Sequence, residues 1–407
     1  MQSIFNVFKK GKKSQTRKIH YKDGVIYEGD VIEGKPHGKG KLTFPDGTKY
    51  EGEFKDGLQE GQGILKSING STYKGEFKDG QPDGRGILKS SDGNSYEGEF
   101  IDGQLGGRGI FKYADGNIYE GEFKGGQPEG IGVCKYFSGN IYEGEFKGGQ
   151  PNGIGFLRYA DGSTYKGDFL EGEPDGKGIQ IVEDNYVYEG DFKEGVKHGK
   201  GIFTYSDGDV YEGEFRNDLM QGKGKFTVST GIIYEGDFLK CARTGKGRYT
   251  FLNGDVYEGD VVMGKFHGKG KYIYSTGNIY EGDYQDGKRS GKGKIKIADS
   301  GVYKFNHYDG EGNFIDGYDF VFGYEYEGDF FDDNIHGKGT CKIPDGSIYI
   351  GDFVENKIQG KGKLIEANGD IYEGDFLDGH YHGEGTLRSA EGNLLQSGRW
   401  ENDEFIG

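Results

Sequence analysis

A tyrosine recurs every 23 residues along almost the whole chain, and this period restricts the fold more than any other feature of the sequence. The stretch 50–72, YEGEFKDGLQEGQGILKSINGST, represents one repeat, and positions within a repeat are counted from its tyrosine. A strict period of this length is typical of proteins that stack copies of one supersecondary unit. The tyrosines at the first position are Tyr27, Tyr50, Tyr73, Tyr96, Tyr119, Tyr142, Tyr165, Tyr188, Tyr211, Tyr234, Tyr257, Tyr280, Tyr303, Tyr326, Tyr349 and Tyr372.

Each repeat has the pattern of two β-strands joined by turns. In residues 73–78, tyrosine, glycine and phenylalanine alternate with charged residues, and a period of two indicates a strand. The Asp-Gly pair at 79–80 is a strong hairpin signal, because glycine accepts a positive φ. Residues 84–88 alternate again, and a second Asp-Gly pair follows at 92–93. Two strands and two turns per repeat predict an antiparallel meander without helices.

The prolines support these turn positions. Each falls at the tenth or the nineteenth position of a repeat, beside a predicted turn. Because proline inside a strand removes a ladder hydrogen bond, we expect none of them within a strand. They are Pro36, Pro45, Pro82, Pro128, Pro151, Pro174 and Pro344.

The two faces of the predicted sheet differ in chemistry. On one face, the first position is tyrosine, the fifth is nearly always phenylalanine, and glycines at the third, twelfth and fourteenth positions leave room for rings to lie over them. On the other face, the fourth position is acidic, the second is usually glutamate and the thirteenth is mostly lysine or arginine. Acidic and basic stripes therefore alternate, and each cross-strand pair contributes about 0.2–1 kcal/mol. At the thirteenth position Ile131 and Ile154 replace the base, which we interpret as drift.

These patterns leave no sequence for a second layer. They predict an all-β fold, an elongated single-layer antiparallel β-meander in which about 16 hairpin repeats form the array. The 81 glycines belong to the repeat and not to flexible linkers. The aromatic face is expected to be a trough that its own rings fill in part.

Composition and charge exclude several functional classes. The net charge of −17 disfavours binding of nucleic acid, or of anionic lipid along the array. Cys134, Cys241 and Cys341 are far apart in such an array, so we expect free thiols and a reducing compartment. No apolar run reaches the about 18 residues that a membrane-spanning helix needs.

We predict no catalytic residues, no metal site and no cofactor. Carboxylates two residues apart occur in nearly every repeat, whereas a catalytic pair needs one carboxyl group in a special environment. The histidines at the eleventh position are at least two repeats apart, too far to bind one metal ion together. The glycines lack the strand-to-helix context of a phosphate-binding loop.

The YEGEF or YEGDF opening, the DG turn and the GKG core closely resemble the MORN (membrane occupation and recognition nexus) repeat, over about residues 19–407. The resemblance implies an extended array of β-hairpins. It also implies scaffold roles at membranes or in the cortical or ciliary cytoskeleton, grooves that dock helical segments of partners, and in some members dimerisation or lipid binding. MORN arrays precede catalytic domains in certain lipid kinases and lysine methyltransferases, but we expect no such domain here.

Four regions depart from the repeat. Residues 1–18 form a basic tail, and residues 19–26 look like a half repeat that caps the array. Residues 299–325 are a degenerate repeat, interpreted either as drift or as a bulge, kink or partner contact, and residues 395–407 form a C-terminal cap with Trp400. The aromatic residues of the kink or contact are Tyr308, Tyr318, Phe320, Phe322 and Tyr324.

The function expected from these features is a non-enzymatic scaffold or adaptor in the cytoplasm, cytoskeletal or ciliary by the resemblance. It would bind a protein partner segment, a cytoskeletal assembly or a second copy of itself, as a homodimer, along the aromatic groove, because large apolar patches mark interaction sites. The groove residues are Tyr119, Phe123, Tyr142, Phe146, Tyr165, Phe169, Tyr188, Phe192, Tyr211 and Phe215.

The alternative function is a peripheral membrane module that binds anionic phosphoinositide lipid. The basic tail has two interpretations, a solvated segment or a surface anchor in which each basic residue contributes about 1 kcal/mol at an anionic leaflet. The strongly acidic remainder of the chain opposes lipid binding along the array. The lipid-contact residues of the tail are Phe5, Phe8, Lys9, Lys10, Lys12 and Lys13.

Overall fold

The computed structural model describes residues 15–298, 303–308, 314–320 and 325–407, and within 303–308 and 314–320 it describes the backbone. The chain forms two compact bodies. We call them the N-terminal body, which runs up to Asp184 and includes Asp191–Val196, and the C-terminal body, which consists of Asn185–Gly190 and Lys197–Gly407. The predicted lipid-contact residues of the tail lie outside the described residues.

The regular structure of the described residues is β throughout, as predicted. The strands of the N-terminal body are β1 Gln15–His20, β2 Ile26–Ile32, β3 Lys35–Thr43, β4 Lys49–Lys55, β5 Leu58–Lys66, β6 Thr72–Lys78, β7 Gln81–Lys89, β8 Ser95–Ile101, β9 Gln104–Lys112, β10 Ile118–Lys124, β11 Gln127–Lys135, β12 Ile141–Lys147, β13 Gln150–Arg158, β14 Thr164–Leu170 and β15 Glu173–Val182. Two strands have residues in both bodies, β16 Tyr186–Lys193 and β17 Val196–Tyr205.

The strands of the C-terminal body are β18 Val210–Arg216, β19 Leu219–Thr227, β20 Ile233–Leu239, β21 Ala242–Thr250, β22 Val256–Val262, β23 Lys265–Ile273, β24 Ile279–Gln285, β25 Lys288–Lys296, β26 Tyr303–Tyr308, β27 Phe314–Phe320, β28 Glu325–Phe331, β29 Asn334–Lys342, β30 Ile348–Val354, β31 Lys357–Ile365, β32 Ile371–Leu377, β33 His380–Arg388, β34 Leu394–Glu401 and β35 Glu404–Phe405. Of the described strands, 33 belong to one antiparallel sheet, and β26 and β27 form a separate hairpin.

Every repeat in the sheet is a hairpin with the same register. In β10–β11, Tyr119 pairs with Cys134 and Gly121 with Gly132, and the register then shifts before Phe123 pairs with Pro128. The turn between the strands follows the predicted geometry. In the turn after β6, Asp79 and Gly80 have φ of 48° and 89°, the left-handed conformation of a type I′ hairpin turn.

The prediction for the prolines is wrong in part. Pro36, Pro82 and Pro128 are the second residues of β3, β7 and β11, so they lie within strands. The strands accept them because the carbonyl of Pro36 points to the neighbouring repeat, where it accepts a hydrogen bond from the Gly57 turn amide at 3.0 Å. The missing N–H of the proline would point the same way, and the ladder does not use it.

Each opening tyrosine whose side chain the structure describes lies flat over a glycine pair of its own hairpin. A Cβ on Gly121 would approach the Tyr119 hydroxyl and would come within 2.6 Å of the Gly132 Cα. The Tyr119 hydroxyl donates a hydrogen bond of 2.9 Å to the carbonyl of Glu122, the residue at which the register shifts. The predicted role of these glycines, to leave space for rings, is therefore confirmed at the third and fourteenth positions.

The rings connect successive repeats on this face. Tyr119 meets Phe123 of its own repeat edge-to-face at 5.1 Å and Phe146 of the next repeat at 4.7 Å. Such edge-to-face pairs contribute about 0.5–1.5 kcal/mol beyond the area they bury. Because the same two contacts recur from repeat to repeat, we call this row of alternating rings the ring ladder.

The opposite face carries the predicted charge pairs. In the C-terminal body, lysines at the thirteenth position pair with aspartates at the fourth position of the next repeat, as in Lys269 with Asp283 at 2.6 Å and Lys338 with Asp352 at 2.7 Å. The same aspartates bind backbone, because Asp283 also accepts a hydrogen bond from the Lys292 amide at 2.9 Å. The acidic stripe therefore pairs with lysine and also satisfies a strand amide.

Within the irregular stretch 299–325, the described segments 303–308 and 314–320 do not pair with the main sheet, whereas Glu325 is the first residue of β28. Strand β25 pairs directly with β28, and Lys292, at the thirteenth position, forms an ion pair of 2.5 Å with Asp329. Residues 303–308 and 314–320 pair only with each other, as the hairpin β26–β27. Tyr326 is thus the structural successor of Tyr280, although Tyr303 keeps the sequence spacing.

A β-strand lies at each end of the array. β1 starts at Gln15 and pairs with β2, so residues 15–18, which we assigned to the tail, belong to the first strand. At the other end, Trp400 pairs with Gly383, the pairing that a fifth-position phenylalanine makes elsewhere, and its ring meets Tyr372 at 5.4 Å. Its indole N–H donates a hydrogen bond of 3.2 Å to the carbonyl of Gly385.

Candidate interaction surfaces

The ten predicted groove residues form the buried core of the sheet. Tyr142 and Phe146 expose 0% and 5% of their surface, and none of the other eight exposes more than 5%. The rings therefore do not line an open trough, as we expected, because each tyrosine folds down onto glycine and the phenylalanines fill the spaces between tyrosines. Contact of a partner with these rings stays a prediction that their burial does not favour.

The burial of the ring ladder also affects the pKa of its tyrosines. The pKa of Tyr50, Tyr73 and Tyr142 is raised to about 12, mainly by removal of the phenol from water and also by the nearby acidic side chain of the fourth position, such as Glu53 beside Tyr50. These phenols are thus kept neutral as hydrogen-bond donors. Their role is structural.

The predicted kink residues are placed only in part. Tyr308 lies in β26, and Tyr318 and Phe320 lie in β27, in the hairpin outside the main ladder. Phe322 and Tyr324 lie outside the described residues. The backbone shows that the stretch leaves the ladder, but contact of these residues with a partner stays a prediction.

Two grooves of the described structure lie on the charged face. In the C-terminal body a groove of about 1320 Å³ follows this face, lined by the second, thirteenth and fifteenth positions, for example Glu281, Lys292 and Lys294. A smaller groove of about 580 Å³ lies in the N-terminal body near Lys41 and Ile64. Both grooves have glycine backbone in their floors.

Charges in the C-terminal groove are paired with each other. At the fifteenth position, Arg248 and Lys363 bind the second-position Glu258 and Glu373, each at 2.9 Å. The lysine of the preceding repeat lowers the pKa of the fourth-position carboxylates, as Lys246 does for Asp260 through a hydrogen bond. Basic and acidic side chains on this face of the C-terminal body therefore form several mutually neutralising pairs, although Ile350 in the same groove is 45% exposed.

Several of the same positions in the N-terminal body carry apolar side chains, whereas others, such as Lys41 and Arg108, are basic. The fifteenth position is Ile64, Ile87, Ile110, Val133, Phe156 and Ile179 in six successive repeats. At the thirteenth position, Ile131 and Ile154 are 56% and 63% exposed. Sequence reasoning interpreted the latter two as drift, although the run of apolar residues at the fifteenth position was a visible signal.

The side chains that could bind a metal ion are scattered over the described part of the chain. No three histidine, cysteine, aspartate or glutamate residues of that part come together as a metal site. Cys134 and Cys341 are buried free thiols, and burial raises the pKa of Cys341 to about 12. No helix of the described residues has the length and apolarity needed to cross a membrane.

Comparison with protein families decides the identity of the repeat. The family model of the MORN repeat matches residues 27–49, 50–72, 73–95, 96–118, 119–141, 142–164, 165–181, 188–210, 211–231, 234–256, 257–279, 280–302, 326–348, 349–371 and 372–394. The chain belongs to the MORN-repeat family. The matches omit residues 303–325, in agreement with the hairpin that leaves the ladder between the MORN repeats that begin at Tyr280 and Tyr326.

Other comparisons add little to this assignment. The comparison with curated proteins gave no match. Among solved structures, the TCP domain of SAS-4 (dCPAP) from Drosophila melanogaster, in complex with a proline-rich motif of Ana2, shares 15% identity over 37% of this chain and 83% of that chain, with a TM-score of 0.26. The TCP10 domain of Danio rerio CPAP, in complex with a STIL peptide, shares 14% identity over 75% of this chain and 99% of that chain, with a TM-score of 0.20. Scores this low carry no argument about this MORN-repeat chain.

Proposed function

We propose that this MORN-repeat protein is a non-enzymatic scaffold that binds segments of partner proteins on its sheet, within a cytoskeletal or ciliary assembly. The observation that carries the proposal is the row of exposed isoleucines on the otherwise charged face of the N-terminal body, with Ile131 and Ile154 more than half exposed. Exposed apolar patches bordered by polar residues are typical of protein interaction sites.

The chemistry of the described residues supports binding more than catalysis. The perturbed tyrosines donate structural hydrogen bonds, as Tyr50 does to the carbonyl of Glu53 at 2.9 Å, and the perturbed carboxylates accept hydrogen bonds from neighbouring lysines. A catalytic acid or base needs an environment that differs from its surroundings. Most of these environments recur from repeat to repeat, which is typical of structural groups and not of a single reactive site.

The proposal places contacts on the face opposite the ring ladder. Serine in place of Phe123, Phe146 or Phe169 would open cavities in the core and would test folding and not binding, because these rings are buried. Substitutions that probe binding therefore belong on the exposed positions of the charged face.

Proximity labelling in the native cell tests the proposed function. The full chain fused to a labelling enzyme is compared with the enzyme alone. We expect reproducible enrichment of the components of one cytoskeletal or ciliary assembly, and chemical cross-links from those components to the sheet. Two results contradict the proposal. One is a labelled set that does not differ from that of the labelling enzyme alone, and the other is a set of metabolic enzymes without structural proteins.

Binding of anionic lipid by residues 1–18 remains the alternative function. It depends on the basic and aromatic residues of the tail in the sequence, from Phe5 to Lys13. Flotation of phosphoinositide vesicles with the full chain and with a chain lacking residues 1–14 tests it. Binding that needs these residues supports the tail as an anchor, and the absence of flotation of the full chain contradicts it.

A further inference from the structure

The first strand of the array carries a hydroxyl group at a place where other repeats carry a positive charge. Counted back from Tyr27, Thr16 occupies the thirteenth position of the half repeat that opens the array. It pairs across the strands with Asp30, and its hydroxyl donates a hydrogen bond of 3.2 Å to Oδ1 of that residue. In several repeats of the C-terminal body a lysine fills this place, as Lys269 does opposite Asp283 at 2.6 Å.

Basic residues surround Thr16 in the sequence. Lys12 and Lys13 precede it, and Arg17 and Lys18 follow it directly. A protein kinase with acidic side chains around its peptide-binding groove recognises such a segment, because complementary charges steer the encounter and fix its register. We call an enzyme of this kind a basic-directed kinase. The sequence around Thr16 therefore has the chemistry of its substrates.

Strand β1 also presents Thr16 in a conformation that another protein can bind. Among the described strands, β2 is the one that pairs with β1, so the second edge of β1 is open. The side chains of β1 from Gln15 to Lys18 are exposed. An edge strand offers an extended segment with free N–H and C=O groups, which is a form in which proteins bind peptides.

We propose that Thr16 is a phosphorylation site of a basic-directed kinase and that the phosphate releases β1 from β2. The kinase transfers the γ-phosphoryl group of ATP to the Thr16 hydroxyl. A bond forms between Oγ1 and the γ-phosphorus, and the bond from this phosphorus to the oxygen that bridges to the β-phosphate breaks, so that ADP leaves. The hydroxyl proton passes to the catalytic base of the kinase.

The phosphate reverses the sign of the interaction at this place. The modified side chain carries a charge of about −1.5 to −2 at neutral pH and has lost the hydroxyl proton that it donated to Asp30. Like charges that face each other across two strands weaken the pair. The phosphate also lies on the same face of β1 as Lys18, so it competes with Glu28, which forms an ion pair with Lys18 in the unmodified chain.

Release of β1 uncovers the first complete repeat. Ile19 pairs with Tyr27, whose side chain is fully buried while β1 is in place. Without β1, the edge of the sheet is β2, and its N–H and C=O groups on that side lose their partners. Phosphorylation of Thr16 thus controls whether the array begins at β1 or at β2.

Phosphorylation of the full chain in vitro tests the site. The chain is incubated with ATP and a basic-directed kinase, and fragmentation mass spectrometry locates the phosphate. We expect phosphate on Thr16, and none there when a kinase that prefers acidic substrates is used. Ser14→Ala is the matched control, because it removes the other hydroxyl group beside the lysines and should leave the modification of Thr16 intact. Phosphate on Ser14 alone, or on neither residue, overturns the proposal.

Hydrogen exchange of β1 tests its release. The amides of β1 should exchange at least about tenfold faster after phosphorylation, because the strand opens more often, whereas those of β10 should not change. In Asp30→Asn, which removes the facing charge, phosphorylation should accelerate exchange much less. Thr16→Lys supplies the pair found in the C-terminal body and should slow exchange about twofold to fivefold.

Three results of the exchange experiment overturn the release of β1. The first is exchange of β1 that phosphorylation of Thr16 leaves unchanged. The second is an acceleration that is equally large in Asp30→Asn, because the facing carboxylate would then have no part in it. The third is exchange of the unmodified β1 at the rate of an unfolded peptide, because the strand would then have no pairing to lose.

Discussion

The N-terminal and C-terminal bodies share one hairpin and differ in what they present on its charged face. Tyr119 and Tyr257 both lie over a glycine pair and both donate to the fourth-position carbonyl, at 2.9 Å and 2.6 Å. At the thirteenth position, however, one body has Ile131 where the other has Lys269. The difference teaches that the fold depends on the ring face, whereas the thirteenth and fifteenth positions can carry either charged or apolar side chains.

Valine at a third-position glycine should have the largest effect, and the effect should be equal in the two bodies. The change Gly121→Val, or Gly259→Val in the C-terminal body, places a side chain against the tyrosine hydroxyl and the facing glycine Cα. We expect a loss of about 3 kcal/mol or more in the free energy of unfolding, because the backbone of the facing strand cannot move away from the new side chain.

Urea unfolding and hydrogen exchange of the affected repeat measure this loss. The control is Lys124→Val, on an exposed position of the same strand as Gly121, with a change within about 0.5 kcal/mol. Stability of Gly121→Val equal to that of the parent would show that the assignment of the ring face is incorrect.

Alkaline pH should unfold both bodies through the ring ladder. The pKa of Tyr50, Tyr73 and Tyr142 is raised to about 12 in the folded chain, against 10.0 for an ordinary tyrosine. Between these values the unfolded chain loses protons that the folded chain keeps, so stability present below pH 10 declines as the pH rises toward 12.

Absorbance at the tyrosinate band and far-ultraviolet circular dichroism, followed together, test the alkaline prediction. The tyrosines of the ladder should ionise in the same transition in which the sheet unfolds. Ionisation of most tyrosines before any loss of strand signal would contradict the burial of the ladder.

Substitutions at the thirteenth position should change the free energy of unfolding less than the glycine substitutions do. The change should have opposite signs in the two bodies. Lys269→Met removes the ion pair with Asp283 and should cost about 0.2–1 kcal/mol, whereas Ile131→Lys supplies a partner for Glu145 and should stabilise by a similar amount. Thermal unfolding of both variants in low salt and in about 1 M salt measures the effect, because salt of that concentration screens exposed charges. Effects that persist unchanged in high salt would mean that packing, not charge, separates the two bodies.

The smallest expected effect is acidic and belongs to Glu325 in the C-terminal body. Hydrogen bonds from Lys294 and Lys342 lower its pKa from 4.5 to about 2. The stabilisation from Glu325 is thus complete above pH 4.5 and is lost as the pH falls toward 2. Carboxyl-resolved nuclear magnetic resonance should show this low pKa, and Lys342→Met should raise it. A pKa that Lys342→Met leaves unchanged would contradict the pairing.

The sequence was sufficient for the parts of the structure that repeat. Tyrosine spacing, Asp-Gly turns and the alternation of faces predicted the hairpins, and opposite charges at the fourth and thirteenth positions predicted pairs such as Lys269 with Asp283. It was not sufficient where local pattern and long-range pairing differ. Tyr303 keeps the 23-residue spacing, but only the pairing of β25 with β28 reveals that its hairpin lies outside the ladder.

The candidate site was missed for a related reason. Alternation of residues shows which face of a strand a side chain occupies, but not how much of it neighbouring rings cover. Sequence therefore placed binding on the aromatic face, although Phe146 is 5% exposed and Ile154 on the other face is 63% exposed. The glycine pair that gives each tyrosine its space is visible in a single repeat, but the phenylalanine of the next repeat that closes over the tyrosine, as Phe146 does over Tyr119, is not.

The direct pairing of β25 with β28 has a consequence for how such arrays can change. Lys292 pairs with Asp329 as if the residues between β25 and β28 were absent. The turn that connects one repeat to the next can therefore carry an inserted hairpin while the strands on either side of it stay paired. Equivalent turns, such as the one at Asp115-Gly116, are then natural entry points for grafted domains. A protein of this design can acquire new appendages along its length while its spine stays continuous.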